Sequence, residues 1–303
     1  MNHLKRSGLR LRLAGLLGPG ALWILIFFNL PLLIVLFISF VERGRAGGIQ
    51  TPPVYTLHNF VQLFNACSSE FSGPECNPFL YLGIFSHSVQ IALVVTFWSV
   101  LLGYPLAYFI STRSPRWRDT LMLLVIIPFW TNFLVRTYAL KQVLATEGMA
   151  NSFLLNLGLI DAPLDLLFNE FAVVLGLVYG YLPFAVLPMY ASIEKFDHTL
   201  MEAAADLGAS PRRAFWRIML PMTMPGVVAA LVLVSVPVVG AFITPDIMGG
   251  GKVEMIGTLI NRQFGVARNW PFGSSISLIL MLLVLIGVIA YFRSGGEDAR
   301  RAL

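Results

Sequence analysis

The sequence predicts an all-α integral membrane protein with six transmembrane helices, and three observations carry that prediction. Apolar residues fill 57% of the 303 positions and charged residues 12%, against about a quarter charged in soluble domains. Six runs without central charges are each long enough to cross a hydrocarbon core of roughly 30 Å, which takes about 20 helical residues. Lysine and arginine alternate in density from one connecting segment to the next, as they do when the more positive loops stay in the cytoplasm.

The first run, 16–40, follows Lys5, Arg6, Arg10 and Arg12. This resembles a signal peptide superficially, but the run is too long for a cleaved apolar core and no small-x-small site closes it, so it reads as a span. Residues 41–85 form a long external segment whose Pro52, Pro53, Gly73, Pro74 and Pro78 predict turns and irregular chain rather than a folded domain. Cys67 and Cys76 lie in it, either as a disulfide closing a small loop or as two unpaired thiols. Runs 86–111 and 120–139 flank a short basic loop at 111–119, and runs 171–192, 223–245 and 273–292 complete the set. Pro105, Pro128, Pro183, Pro188, Pro225 and Pro237 interrupt these helices and are expected to kink them. Arg136 and Asp246 sit at span edges, where snorkelling or an aqueous cavity makes a charge tolerable.

The segments before the first run, between the second and third, between the fourth and fifth, and after the sixth hold fourteen Lys and Arg; the alternate, longer segments hold seven. Both termini are therefore expected in the cytoplasm. The formal net charge of +5 is spread in short groups between apolar runs, which excludes a continuous nucleic-acid-binding face. The organisation expected is a tail, first span and external loop over 1–85, a five-helix transmembrane domain over 86–292, and a cytoplasmic tail over 293–303. No internal repeat of the kind found in inverted-repeat secondary transporters is visible.

One cytoplasmic loop, 194–221, is long enough to fold on its own. Thr199-Leu-Met-Glu202 has the spacing of a capping box, in which the threonine hydroxyl accepts from the Glu202 amide and the glutamate reaches back. Ala203, Ala204 and Ala205 favour the helix, and Gly208 suits the left-handed residue that stops it. Ser210 and Pro211 are an N-cap and a first-position proline for a second helix, expected to end at Leu220-Pro221. Leu200, Ala203, Ala204 and Leu207 share one stripe of the first helix; Phe215, Ile218 and Met219 oppose Arg212, Arg213 and Arg217 on the second. Such an elbow fits either a partner's surface or a hairpin lying on lipid headgroups.

Glu202-Ala203-Ala204, Gly208-Ala209 and then Phe215, Ile218, Leu220 and Pro221 resemble the EAA motif of binding-protein-dependent ABC importer permeases. The resemblance implies that Glu202, Ala203, Ala204, Gly208, Ala209 and Phe215 form a ball that docks into a socket on a cytoplasmic ATPase. It implies as partners an ABC ATPase dimer, a second permease that is a different chain, a periplasmic or lipoprotein solute-binding protein, and membrane lipid. It implies an inner-membrane location in a bacterial cell, and ATP and Mg held by the ATPase with no cofactor in this chain. Gly103-Tyr-Pro-Leu-Ala-Tyr108, Pro128-Phe-Trp-Thr131, Arg136-Thr-Tyr-Ala-Leu140, Gly240-Ala-Phe-Ile-Thr-Pro-Asp246 and Asn269-Trp-Pro-Phe-Gly273 are similar to the first of two permeases in spermidine/putrescine importers.

An ATPase site needs Gly-x4-Gly-Lys-Ser/Thr, whereas Gly249-Gly-Gly-Lys252 is followed by Val253 and reads as an external turn. His3, His58, His87 and His198 have neither catalytic nor metal spacing, so the chain is expected to be no enzyme. A polyamine's ammonium groups want carboxylates and aromatic faces. Asp246, Trp130, Tyr138, Tyr179 and Tyr181 are the candidates for that path, and interfacial anchoring is the alternative role for the aromatics. The same machine could serve another small solute. An ion-coupled secondary transporter is the rival, but it lacks intramembrane ionisable residues for coupling.

Overall fold

A computed structural model describes residues 17–68 and 77–301, and their side chains except those of 290–292 and 294–301. Lys5, Arg6, Arg10, Arg12 and Cys76 lie outside the described residues. The chain divides into two compact units, 1–81 with 260–303, and 82–259. Among the described residues five helices are long and apolar enough to cross a bilayer, and one pair of helices bent at a short break passes the same test together.

In the first unit, α1 (Leu17–Ser39) is apolar all round and exposed, as a lipid-facing span must be. It carries a widened π turn at Leu25–Asn29, just ahead of Pro31, where such a turn accommodates a residue without an amide hydrogen. α2 (His58–Phe64) and α12 (Trp270–Arg301) complete the unit, with α12 packed along both α1 and α2. The stretch that follows α1 is more ordered than its prolines and glycines suggest. Val41 pairs with Tyr55 and Arg43 with Ile49, and the buried Asn59 amide donates to the Ser39 and Val41 carbonyls, both at 2.9 Å, where α1 ends. Cys67 is disulfide-bonded.

The second unit holds α3 (Leu80–Ser111), α4 (Pro115–Trp130), α5 (Phe133–Leu144), α6 (Met149–Asn156), α7 (Glu170–Glu194), α8 (Thr199–Asp206), α9 (Pro211–Val239) and α10 (Ile243–Gly249). α11 (Ile256–Phe264) begins there. The packed core lies between α7 and α9. A Cβ on Gly226 of α9 would stand 2.7 Å from the Pro188 carbonyl oxygen and collide with the Ser192 Cβ, so the backbones meet through a small residue, as helices in lipid commonly do. At the opposite end of α7, Glu170 accepts from His87 Nε2 of α3 at 3.0 Å.

Two expected spans differ from the structure. The run 120–139 is not one helix: α4 and α5 meet at Thr131-Asn132 with a bend of 94°. Both residues are extended, with ψ of 150° and 128°. The freed backbone groups are satisfied locally, because Thr131 Oγ1 donates to the Pro128 carbonyl at 2.6 Å and Asn132 accepts from the Leu134 amide at 2.8 Å. The run 223–245 stops at Val239, and the rest forms the separate α10. Pro245 would leave a broken hydrogen bond inside a continuing helix, but needs no donor in the first turn of a new one.

Candidate functional site

The elbow is built from caps, though not all of the expected ones. Thr199 is the first helical residue of α8, and no side chain caps from position 198. The capping box of Thr199 and Glu202 is therefore absent. Asp197, two residues earlier, takes one of its bonds: its carboxylate accepts from the Thr199 amide at 3.0 Å, an Asx turn that pre-empts Glu202. Bonds from the Thr199 amide and hydroxyl hold the Asp197 carboxyl below the usual carboxylate range.

The stop of α8 is as expected. Gly208 has φ of +81°; its amide donates to Ala205 at 2.9 Å and the Ala209 amide to Ala204 at 2.9 Å, the paired bonds of a Schellman ending. Ser210 precedes Pro211 as predicted, but its hydroxyl makes no capping bond. The second helix does not end at Leu220-Pro221. It passes through a π turn, Phe215–Met219, and continues to Val239 as one 29-residue helix. The widened turn gives the Pro221 ring the room that a regular turn would deny it.

On the outside of this elbow, Glu202 and Ala203 are exposed and Leu207 is 90% exposed; only Ala204 is buried in α8, and Ala209 is half-buried. Phe215 is half-buried, its ring edge-on to Tyr104 of α3 at 5.9 Å. The Thr223 hydroxyl donates to the Met219 carbonyl at 2.9 Å, so it accepts from the Tyr104 hydroxyl at 2.8 Å. The elbow's second limb is thus fastened to α3, while Ser192 of α7 donates to the Thr223 carbonyl at 3.2 Å. Arg118 of α4 donates to Glu194 at the end of α7 at 2.7 Å. The elbow is thus joined by short contacts to both α3 and α7.

The candidate path residues fall in two places. Asp246 is exposed in the first turn of α10, beyond the end of α9. Trp130, 84% exposed, stands at the α4–α5 break, and Tyr179 and Tyr181 lie on α7. Phe129 packs edge-on to Phe184 at 5.0 Å, and Tyr181 lies 5.9 Å from Phe184. Two candidate rings already face cations of this chain. The Arg136 guanidinium is 5.7 Å from the Tyr179 ring and 5.3 Å from Phe133, and Lys141 is 5.9 Å from Tyr138. Each such contact is worth about 0.5–2 kcal/mol. Arg136, placed at a span edge by the sequence, is 8% exposed and donates to the Pro128 carbonyl at 3.0 Å. Sequence reasoning missed Asp197, Tyr104, Thr223 and Arg118; of these only Asp197, two residues before a threonine at a helix start, carries a local signal.

A set of apolar spans, with an elbow fused to one of them and fastened to others, defines a multi-pass membrane permease. The family model for the binding-protein-dependent transport system inner membrane component matches residues 99–294, and the chain belongs to that family. It is 42% identical over 272 residues to the spermidine/putrescine transport system permease protein PotB of Escherichia coli, covering 90% of this chain and 94% of that one. It is 39% identical to PotB of Haemophilus influenzae, covering 90% of each. Its fold matches, with a TM-score of 0.66, 18% identity and 99% of each chain covered, a crystal structure of a bacterial ABC transporter that imports the acidic polysaccharide alginate.

Proposed function

We propose that this permease carries polyamines, spermidine and putrescine, inward across the inner membrane as one of two different permease chains of an ABC importer. The cargo reading rests on the 42% identity to PotB along nearly the whole chain. The work comes from a cytoplasmic ATPase dimer that binds ATP and Mg, and this chain supplies neither cofactor nor hydrolytic site. A periplasmic or lipoprotein solute-binding protein delivers the cargo, and both termini lie in the cytoplasm.

The observation that supports the coupling role most is the continuity of the elbow with α9. The exposed side of α8, with Glu202, Ala203 and Leu207, is the docking surface, and Gly208 sets the angle between the elbow's limbs. Phe215 is part of α9 itself, so its displacement moves that span without an intervening loop. Asp246, Trp130, Tyr138, Tyr179 and Tyr181 line the path.

Uptake of radiolabelled spermidine and putrescine by cells expressing the whole transporter tests both parts. Saturable uptake in the wild type that is lost in Gly208→Trp, at equal membrane abundance, is the expected result. Uptake of neither polyamine by the wild type overturns the cargo reading, and uptake unaffected by the substitution overturns the coupling role.

A further inference from the structure

Arg136 is the one charged side chain in the buried set among the described residues, and no described carboxylate pairs with it. Burying an unpaired cation is costly, and it persists where something is gained. A capping role alone does not require the charge. The Pro128 carbonyl already receives the Thr131 hydroxyl at 2.6 Å, and any neutral amide of similar reach could supply the second donor that Arg136 Nη1 provides. What the guanidinium adds is a positive charge over the faces of Phe133 and Tyr179, held without a counter-ion by those rings and by the carbonyl end of α4.

These faces belong to an aromatic wall along the break in the third span. Phe133 lies close to Gly180 of α7, whose chain neighbours are Tyr179 and Tyr181, and Tyr181 and Phe129 each pack on Phe184. Such a wall, left bare, would hold an ammonium group. We propose that Arg136 is a tethered competitor that sets selectivity for cargo charge: it covers the faces of Phe133 and Tyr179, a passing ammonium group displaces it, and its return releases that group. The inference rests on the polyamine reading of the cargo. It makes Arg136 a specificity-determining residue whose effect grows with the number of ammonium groups the cargo carries.

The test uses the complete transporter in proteoliposomes, with uptake of trivalent spermidine and divalent putrescine measured for wild type, Arg136→Lys, Arg136→Gln and Arg136→Met. Without the competitor, spermidine dwells longer than putrescine. The maximal rate for spermidine relative to putrescine is therefore expected to fall about fivefold in the Gln and Met variants, while Lys stays near the wild-type ratio. Adding Tyr179→Leu to Arg136→Gln removes a face and should restore the ratio, which repair of a merely structural defect would not do. An unchanged ratio in Gln and Met overturns the inference, as does a Met variant equally slow for both cargoes beside a normal Gln variant, the mark of a simple cap. A wild type that carries neither polyamine overturns the cargo reading and this inference with it, a failure recognisable because it precedes any variant.

Discussion

The elbow and the broken third span both change chain direction sharply, yet they are built differently. In the elbow, Gly208 turns the chain through its own backbone freedom, at φ of +81° with nothing within 4 Å of a Cβ placed there. At the break, Thr131 and Asn132 are ordinary extended residues, and side chains from both sides hold the bend by satisfying the loosened backbone groups. A turn made by one glycine needs no side chain to hold it and can stand exposed. A turn held by side-chain bonds inside a membrane span lasts only while those bonds satisfy the backbone.

The packing that both regions share comes first in order of effect. Gly226→Val forces a side chain onto Ser192 and the Pro188 carbonyl, separating α7 from α9. Overpacking costs about 1–3 kcal/mol or more, and monodisperse protein recovered in detergent should fall severalfold, seen by size-exclusion chromatography. Normal recovery would mean that the small-residue contact does not hold the core.

Tyr104→Phe and Asn132→Ala separate the two regions. Loss of the Tyr104 hydroxyl removes one buried bond to Thr223, worth about 1 kcal/mol, and should lower cargo uptake per ATP hydrolysed because the elbow is less firmly fastened to α3. Asn132→Ala removes the α5 cap, also worth about 1 kcal/mol, and should alter transport rate while leaving uptake per ATP intact. If both changed coupling alike, the division of labour between elbow and break would be wrong.

The smallest effect concerns Asp197. Its carboxyl is held below the usual range in the folded chain, so its contribution is fully present above the ordinary carboxylate range and is lost as pH falls through the lowered value. Amide protection of the first turn of α8, read by hydrogen exchange, should be unchanged between pH 6 and 8 and reduced at both by Asp197→Ala. A pH-dependent cap within that window would contradict the assignment.

The spans and the elbow were legible in the sequence because their signals are local: apolar runs of bilayer length, a glycine at a helix stop, a proline at a helix start. The capping box failed because Asp197 takes the Thr199 amide that Glu202 would have reached back to, and the Glu202 amide donates to the His198 carbonyl at 3.4 Å rather than to the Thr199 hydroxyl; a spacing rule cannot rank such acceptors. The end set at Leu220-Pro221 failed because a π turn lets a helix carry a proline that a regular turn would reject. The break at Thr131-Asn132 was hidden because Pro128 alone predicts a kink, and one of the side chains that bonds its carbonyl, Arg136, lies eight residues away. The fastening of Tyr104 to Thr223 joins residues 119 positions apart and leaves no local trace.

Coupling through the elbow is tested most directly by uptake and ATP hydrolysis measured together in proteoliposomes containing the complete transporter, for wild type and Ala203→Glu. An unpaired charge pressed into an interface costs about 2 kcal/mol or more, over tenfold. The elbow account predicts a fall of at least that size in uptake per ATP hydrolysed, with membrane abundance unchanged. Uptake per ATP equal to wild type would contradict it.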